Sequence, residues 1–399
     1  MVEEKNLFHQ MYTQNNIMRK DYISIFVLAC LLGACKNRPQ GIRREVTNIS
    51  DSSMIDINHY DVKKIHVGEN ITNKPMASQI ISMNGVDKYV MLDESYLYIF
   101  DWQQGILEDS VSLHQCGLLR NCSGFNYINP DSIIIYNDGK KAVFLIESSG
   151  NIQKHWNIPR SDNYTQWVSS VDALNGTRIE SDNEKLLLSG SILGSLSQAK
   201  GMTIPVSECL YKESGEWKPV TYYPDLYMQY DWGGYYMNYT YVTKDSKGCY
   251  LYSFPILDKV LRYNNDFSLC DTIQMKSRYD KGIEEFAFEN AEEDETNEIR
   301  YYISQTSYSN IMYDPYRNIY LRLAEHPLYD WSEKGAFCKP FSIIVSDMKG
   351  EILSESKIST DYKKFHFQNL HVCKEGIAIA MENPDENHIY FACIKINKK

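Results

Sequence analysis

The chain has 399 residues, of which 43% are hydrophobic, 23% charged and 13% aromatic, with 31 tyrosines against 14 phenylalanines. That composition excludes a disordered chain, a collagen-like fibre and a multi-pass membrane protein. A net charge of −11 excludes the basic footprint of a nucleic-acid-binding protein, and the tyrosine excess favours strands or a displayed aromatic surface.

The first landmark in chain order is the apolar run Tyr22 to Ala34, preceded by Arg19-Lys20 and followed by Cys35. At about 13 residues it is short for a membrane-spanning helix and right for the apolar region of an export signal. Leu32-Gly33-Ala34-Cys35 resembles a bacterial lipobox, whose cysteine thiol takes a diacylglyceryl group. The expected organisation is a signal peptide over 1–34, with Met18 as an alternative start. A lipidated Cys35 and polar tether follow over 35–59, then one domain over 60–399. The expected location is the cell envelope, membrane-anchored through the lipid. The outer membrane is favoured, and the basic flank after Cys35 tilts the protein toward the periplasmic side. Of the other cysteines, Cys116 and Cys122 share one loop and are the pair best placed for a disulfide.

From residue 60 onward, short β-type runs alternate with Gly, Asn, Asp and Ser turns. They align as a repeated unit of four strands. The copies occupy 80–113, 125–158, 177–223, 240–275 and 310–358, with a sixth from Leu370 that ends after three strands. The unassigned run Asp61 to Val67 can supply the missing outer strand, tying the two ends of a ring together and removing a sheet edge. The predicted fold is therefore all-β: a six-bladed β-propeller closed by an N-terminal strand that completes the last blade.

The fifth repeat carries Tyr313-Asp314-Pro315-Tyr316-Arg317-Asn318-Ile319-Tyr320-Leu321-Arg322. This stretch resembles one found in a family of bacterial lipoproteins with a TolB-like six-bladed propeller and no assigned function. Lipobox, tether and propeller together cover essentially the whole chain. The resemblance implies the fold and the anchor and brings no activity with it.

In such a ring the first-to-second and third-to-fourth turns share one face, and here they are uniformly short. The long connections, 114–123, 159–176, 193–201, 222–238, 276–308 and 324–340, belong to the other face, which becomes the candidate working face. Its loops are aromatic. The candidate ligand or partner contacts are Trp167, Tyr227, Tyr230, Asp231, Trp232, Tyr329 and Trp331, flat rings with polar edges suited to a glycan or a partner protein. The eight carboxylates between Glu284 and Glu298 lack calcium-loop spacing and read as a solvated, helical insertion. Arg317 and Arg322 have the chemistry to hold an anion, but their turn and strand positions favour pairing with an inter-blade carboxylate. His366 and His371, five apart on a β-type stretch, are expected on opposite faces and unsuited to sharing a metal.

No Walker A loop, nucleophile elbow, H-E-x-x-H helix, sialidase-type Asp box, or WD, kelch or YWTD signature is present. No cofactor or metal site is expected. The favoured function is a lipid-anchored binding or scaffold protein using the long-loop face, with a glycan, peptide or protein as ligand. The alternative is a hydrolase or lyase with a central-pocket site on the same face.

Overall fold

The chain divides into Met1–Arg38 and Pro39–Lys399. The computed structural model describes residues 41–43, 54–93, 95–114, 117–118, 121–159, 168, 170–173, 175–192, 194–286, 295–328, 339–358 and 362–397. Cys35, the export-signal reading and residues 36–40 and 44–53 of the expected 35–59 tether lie outside them; its described parts are packed rather than free, since Gly41–Arg43 pairs with Gly282–Glu284 and Met54, Ile55 and Ile57 are buried against blades 5 and 6.

Six antiparallel sheets follow one another around a ring. Blade 1 contains Ala77–Met83, Val86–Leu92, Tyr96–Asp101 and Leu107–Ser112. Blade 2 runs from Cys122–Asn129 to Ile152–Asn157, and blade 4 from Tyr241–Lys244 to Leu269–Gln274. Blade 5 runs from Ser307–Asp314 to Ile352–Ile358. Blade 6 takes Phe365–Cys373, Gly376–Met381 and His388–Lys395, and its outer strand is Asp61–His66, paired in register from Asp61↔Cys393 to His66↔His388. The closure is thus the one expected from the incomplete last repeat.

Blade 3 departs from the regular unit. Its inner strand is split into Ser170–Val171 and Glu180–Ser181, both pairing with Lys185–Ser191. The eight residues between Val171 and Glu180 stand opposite only Leu188 and Ser189. This excursion crowds the axis: a Cβ on Gly176 would lie 2.3 Å from Asn310 Oδ1.

The distribution of apolar residues among the strands explains the radial order. Middle strands such as Ser132–Asn137 and Ile319–Glu325 are buried on both faces, because a neighbouring blade covers each side, so they read as nearly continuous apolar runs. Outer strands such as Leu107–Ser112 and Ile152–Asn157 are mostly exposed and polar. The six apolar clusters of the described residues fall between successive blades around the ring. Hydrophobic stabilisation is therefore distributed over blade interfaces rather than gathered in one core.

One interface contains a buried acid. Glu208 lies on the same strand face as Leu210, toward blade 2. It is fully buried, and neither carboxyl oxygen has a hydrogen-bond partner. Desolvation pushes its pKa from 4.5 up to about 8. The folded state keeps this proton up to about pH 8, whereas the unfolded chain releases it near 4.5, so stability falls as pH rises through that window. Glu208→Gln should flatten that fall, narrowing the loss between pH 4 and pH 9 by on the order of 4 kcal/mol. Urea titrations of both proteins at the two pH values check this, and parallel pH profiles would refute it.

Candidate functional site

The aromatic segment of the long-loop face folds into a local core. Leu226–Gln229 (α1) and Tyr235–Asn238 (α2) are single helical turns. Tyr227 is fully buried and donates to Met237 O at 2.8 Å, and Trp232 is 2% exposed and donates from Nε1 to Leu226 O at 3.0 Å. Both pack with Tyr223, Tyr252, Phe254 and Tyr301. The expectation that they contact a ligand is corrected on this point: each ring is covered on its faces and its polar atom is used by the backbone. Gly233, with φ of 74°, lets the chain turn here, since a Cβ would meet the Tyr301 ring at 2.7 Å.

Tyr230 is half-buried edge-on to Trp232, with ring centroids 5.5 Å apart. Asp231 accepts from Gly233 N at 3.0 Å, and its own carbonyl accepts from Phe286 N at 2.8 Å, so it serves the loop fold. Trp167, Tyr329 and Trp331 lie outside the described residues, as does Cys116 of the proposed disulfide. Cys122 is buried, with its Sγ 3.6 Å from Leu118 O. Of the acidic insertion, Glu295–Ser304 (α3) is helical as expected. Its Tyr302 hydroxyl donates to the buried Glu325, which stands 3.7 Å from Lys339 Nζ.

The fifth-repeat signature turns out to be a set of staples. Asp314 accepts from the backbone of Tyr316 and Arg317 and pairs with Arg317 Nη1 at 2.7 Å. Arg317 then reaches blade 6 through Cys373 O and Lys374 O, and Tyr316 donates to Asp87 of blade 1 at 2.9 Å. Asp87 also accepts from Lys374 N, so one turn joins blades 5, 6 and 1. Arg322 is fully buried, and the hydrogen bonds it makes across the seam to described residues go to neutral oxygens rather than to the expected carboxylate. It donates to Ser253 Oγ and to the carbonyls of Met275, Phe254 and Leu257 of blade 4, with its guanidinium 4.0 Å from the Tyr308 ring centroid.

A polar cluster that the sequence reading did not anticipate occupies the propeller axis. The blade 3 excursion brings in Asn175 and Arg178, and blade 1 supplies Ser78. Blade 6 supplies Asn369 and His371, where a bulge between His366 and Leu370 interrupts strand pairing. As expected, the two histidines do not converge: His366 is exposed and His371 is buried.

Arg178 Nη2 donates to His371 Nδ1 at 3.1 Å. That nitrogen must carry the lone pair, which places the ring proton on Nε2. There it faces Asn369 Oδ1 at 2.6 Å and Ser78 Oγ at 3.1 Å. Burial and the adjacent guanidinium hold this imidazole neutral, its pKa well below the ordinary value. Asn175 spans toward blade 1 and accepts from Ser78 N at 2.7 Å. Glu180, two residues beyond Arg178, has its pKa raised to about 7 by desolvation, against the pull of Arg178 and Lys244. The axial cavity beside Arg178 measures about 40 Å³ and is lined by Asn175, Thr243, Asn310, Tyr313 and Val372 among others. Thr243, Tyr313 and Val372 lie near the first-to-second turns, so the cavity sits toward the short-turn half of the channel.

The long-loop face carries a separate groove of about 1270 Å³ between the connection 69–75 and the loop 382–387, with His366 and Asn369 also contributing. Its walls are tied together: Asn73 Nδ2 donates to Asp385 O, Asn383 Nδ2 to Asn73 O, and Val67 N to Asn387 O. Its lining is rich in amides and carboxylates, including Glu69, Asn70, Asn369, Glu382 and Glu386.

Ring closure, blade order and axial polar plug define a six-bladed β-propeller whose outermost last strand comes from the N-terminal side. A family profile described as "Domain of unknown function (DUF4221)" matches residues 52–357, and the chain belongs to that family. A DUF4221 member from Bacteroides vulgatus, solved by crystallography, is 21% identical. That similarity has a TM-score of 0.69 and covers 85% of this chain and 97% of that one. Hydrazine synthase from Kuenenia stuttgartiensis is 10% identical, with a TM-score of 0.45 over 79% of this chain and 78% of that one. Virginiamycin B lyase from Staphylococcus aureus is 9% identical, with a TM-score of 0.37 over 84% and 99%. The last two similarities carry no inference about activity here. No curated protein matches the chain.

Proposed function

We propose that this chain is a lipid-anchored envelope protein that captures a glycan in the groove of its long-loop face, without turning it over. The groove carries the reading. Its amide and carboxylate groups and the Thr72 hydroxyl offer many donors and acceptors, beside apolar edges from Ile71, Met381 and Ile389 on which the faces of sugar rings can lie. Glu69, Glu382, Asp385 and Glu386 outnumber Lys74 in its walls, which favours a neutral polyhydroxylated ligand over an acidic one. Anchoring through Cys35, in the outer membrane and facing the periplasm, would place this groove among envelope polysaccharides.

The competing reading, a hydrolase or lyase at the axis, draws on Glu180, whose pKa near 7 suits acid–base work. Against it stands the size of the axial cavity. At about 40 Å³ it admits a single small group and not a substrate flanked by acid and base.

His366→Ala combined with Glu382→Ala removes two groove groups that hold no side-chain hydrogen bond among the described residues. Calorimetric titration with a panel of neutral envelope glycans should show binding by the full chain, weakened about tenfold or more in the double variant with an unchanged melting temperature. Absence of binding to every glycan by the unmodified chain would sink this reading.

A further inference from the structure

Arg178 forms no ion pair among the described residues, and the carboxyl of Glu180 acts on it from beyond ion-pair distance. Arg317 is paired with Asp314, Arg262 with Asp245 and Lys244 with Asp182, whereas no carboxylate among the described residues lies within ion-pair distance of Arg178. Two of its N–H groups are committed, Nε to Asn175 O at 3.2 Å and Nη2 to His371 Nδ1. A guanidinium carries five N–H donors, so three remain. Arg178 lines the axial cavity together with Thr243, whose hydroxyl has no partner among the described residues.

We propose that the propeller axis holds a binding site for a small monocarboxylate, in which Arg178 receives the carboxylate with a planar pair of N–H donors, separate from the groove of the long-loop face. Size supports the ligand class. A cavity of about 40 Å³ accommodates about three to four water-sized groups, at roughly 10–15 Å³ for each, and acetate has four heavy atoms. Geometry supports it as well, because the guanidinium fork matches two carboxylate oxygens. His371 serves as a positioning residue. It accepts from Arg178 on Nδ1 while Nε2 is held by Asn369 and Ser78, which fixes the plane of the guanidinium.

The charged and titratable groups around Arg178 and Glu180 are His371, Lys244, Asp182, Tyr250 and, in the cavity lining, Tyr313. Lys244 and Asp182 neutralise each other at 2.6 Å, and His371 stays neutral, which leaves Glu180 as the group that modulates the site. Its carboxylate competes with the ligand for the positive charge, so affinity should fall as pH rises through about 7.

The test is calorimetric titration of the full chain in detergent with sodium acetate, with sodium chloride at matched ionic strength as the control. Saturable binding of acetate over chloride is expected at pH 6. Arg178→Met, similar in length and uncharged, should abolish it. Glu180→Gln should tighten acetate binding at pH 8.5 by about tenfold and remove the pH dependence. Misfolding cannot imitate a gain in affinity, so Glu180→Gln decides the matter if Arg178→Met does not fold. Equal acetate binding by the unmodified chain and Arg178→Met overturns the proposal. So does an unchanged affinity in Glu180→Gln at pH 8.5.

Discussion

Replacing Arg322 with methionine is expected to destabilise the propeller by about 4 kcal/mol, although the residue lies in the stretch on which the family resemblance rests and touches no proposed ligand. The side chain is fully buried and its donors satisfy three carbonyls and a hydroxyl of blade 4. Methionine matches its length and not its donors. The loss therefore comes from acceptors left without protons in a site that water does not reach, together with the lost contact with the Tyr308 ring. Arg322→Lys should recover little, because one ammonium cannot serve acceptors spread around a planar fork. Urea unfolding measures both. A loss below about 1 kcal/mol for the methionine variant would mean that the blade 4–blade 5 seam holds by apolar packing alone.

Trp232→Ala should act on stability and not on recognition. The indole is buried in the cluster beneath the long loops, so truncation leaves a cavity that costs about 3–5 kcal/mol. With Leu226 O losing its donor as well, α1 and the loop after it should loosen first. Hydrogen exchange should therefore rise over 222–238 before it rises in the blade strands. Glycan binding in the groove, lined by residues 69–75 and 382–387, should survive wherever the variant remains folded. Selective loss of binding with unchanged stability would return Trp232 to the role its sequence context suggests.

The fold was legible because its determinants are local and repeated. Turn residues punctuate runs of strand length, and buried middle strands such as Ile133-Ile134-Ile135-Tyr136 are apolar without alternation. The incomplete sixth repeat pointed to the closing strand. Blade 3 was read only in part, since its inner strand breaks between Val171 and Glu180, and the Asn175-Gly176 turn signal there marks a bend without saying that one strand is split rather than begun. The site was harder to see. Trp232 and Tyr227 sit in a loop by sequence, yet a long loop on a propeller face must bury part of its own surface, and aromatic rings do that as readily as they bind a ligand. Arg178, His371, Asn369 and Ser78 come from three blades and meet only when the ring is closed. No spacing along the chain announces them. The one available hint was compositional: His371 is a lone titratable residue in the apolar run Leu370-His371-Val372.

The pairing of Asp61–His66 with His388–Lys395 has a consequence for the order of events in a cell. Lys63 and Phe391 are partners in the finished sheet, although some of the first residues of the domain meet some of the last to be synthesised. Closing a loop of that length is entropically slow, and it cannot begin until synthesis is nearly complete. Until then the inner blades can form but the ring stays open, with two unsealed strand edges. For a chain that must be threaded across a membrane before it folds, such a late seal is an advantage. Under the anchoring proposed above, it would keep the polypeptide exportable through most of its synthesis and defer ring closure to the far side.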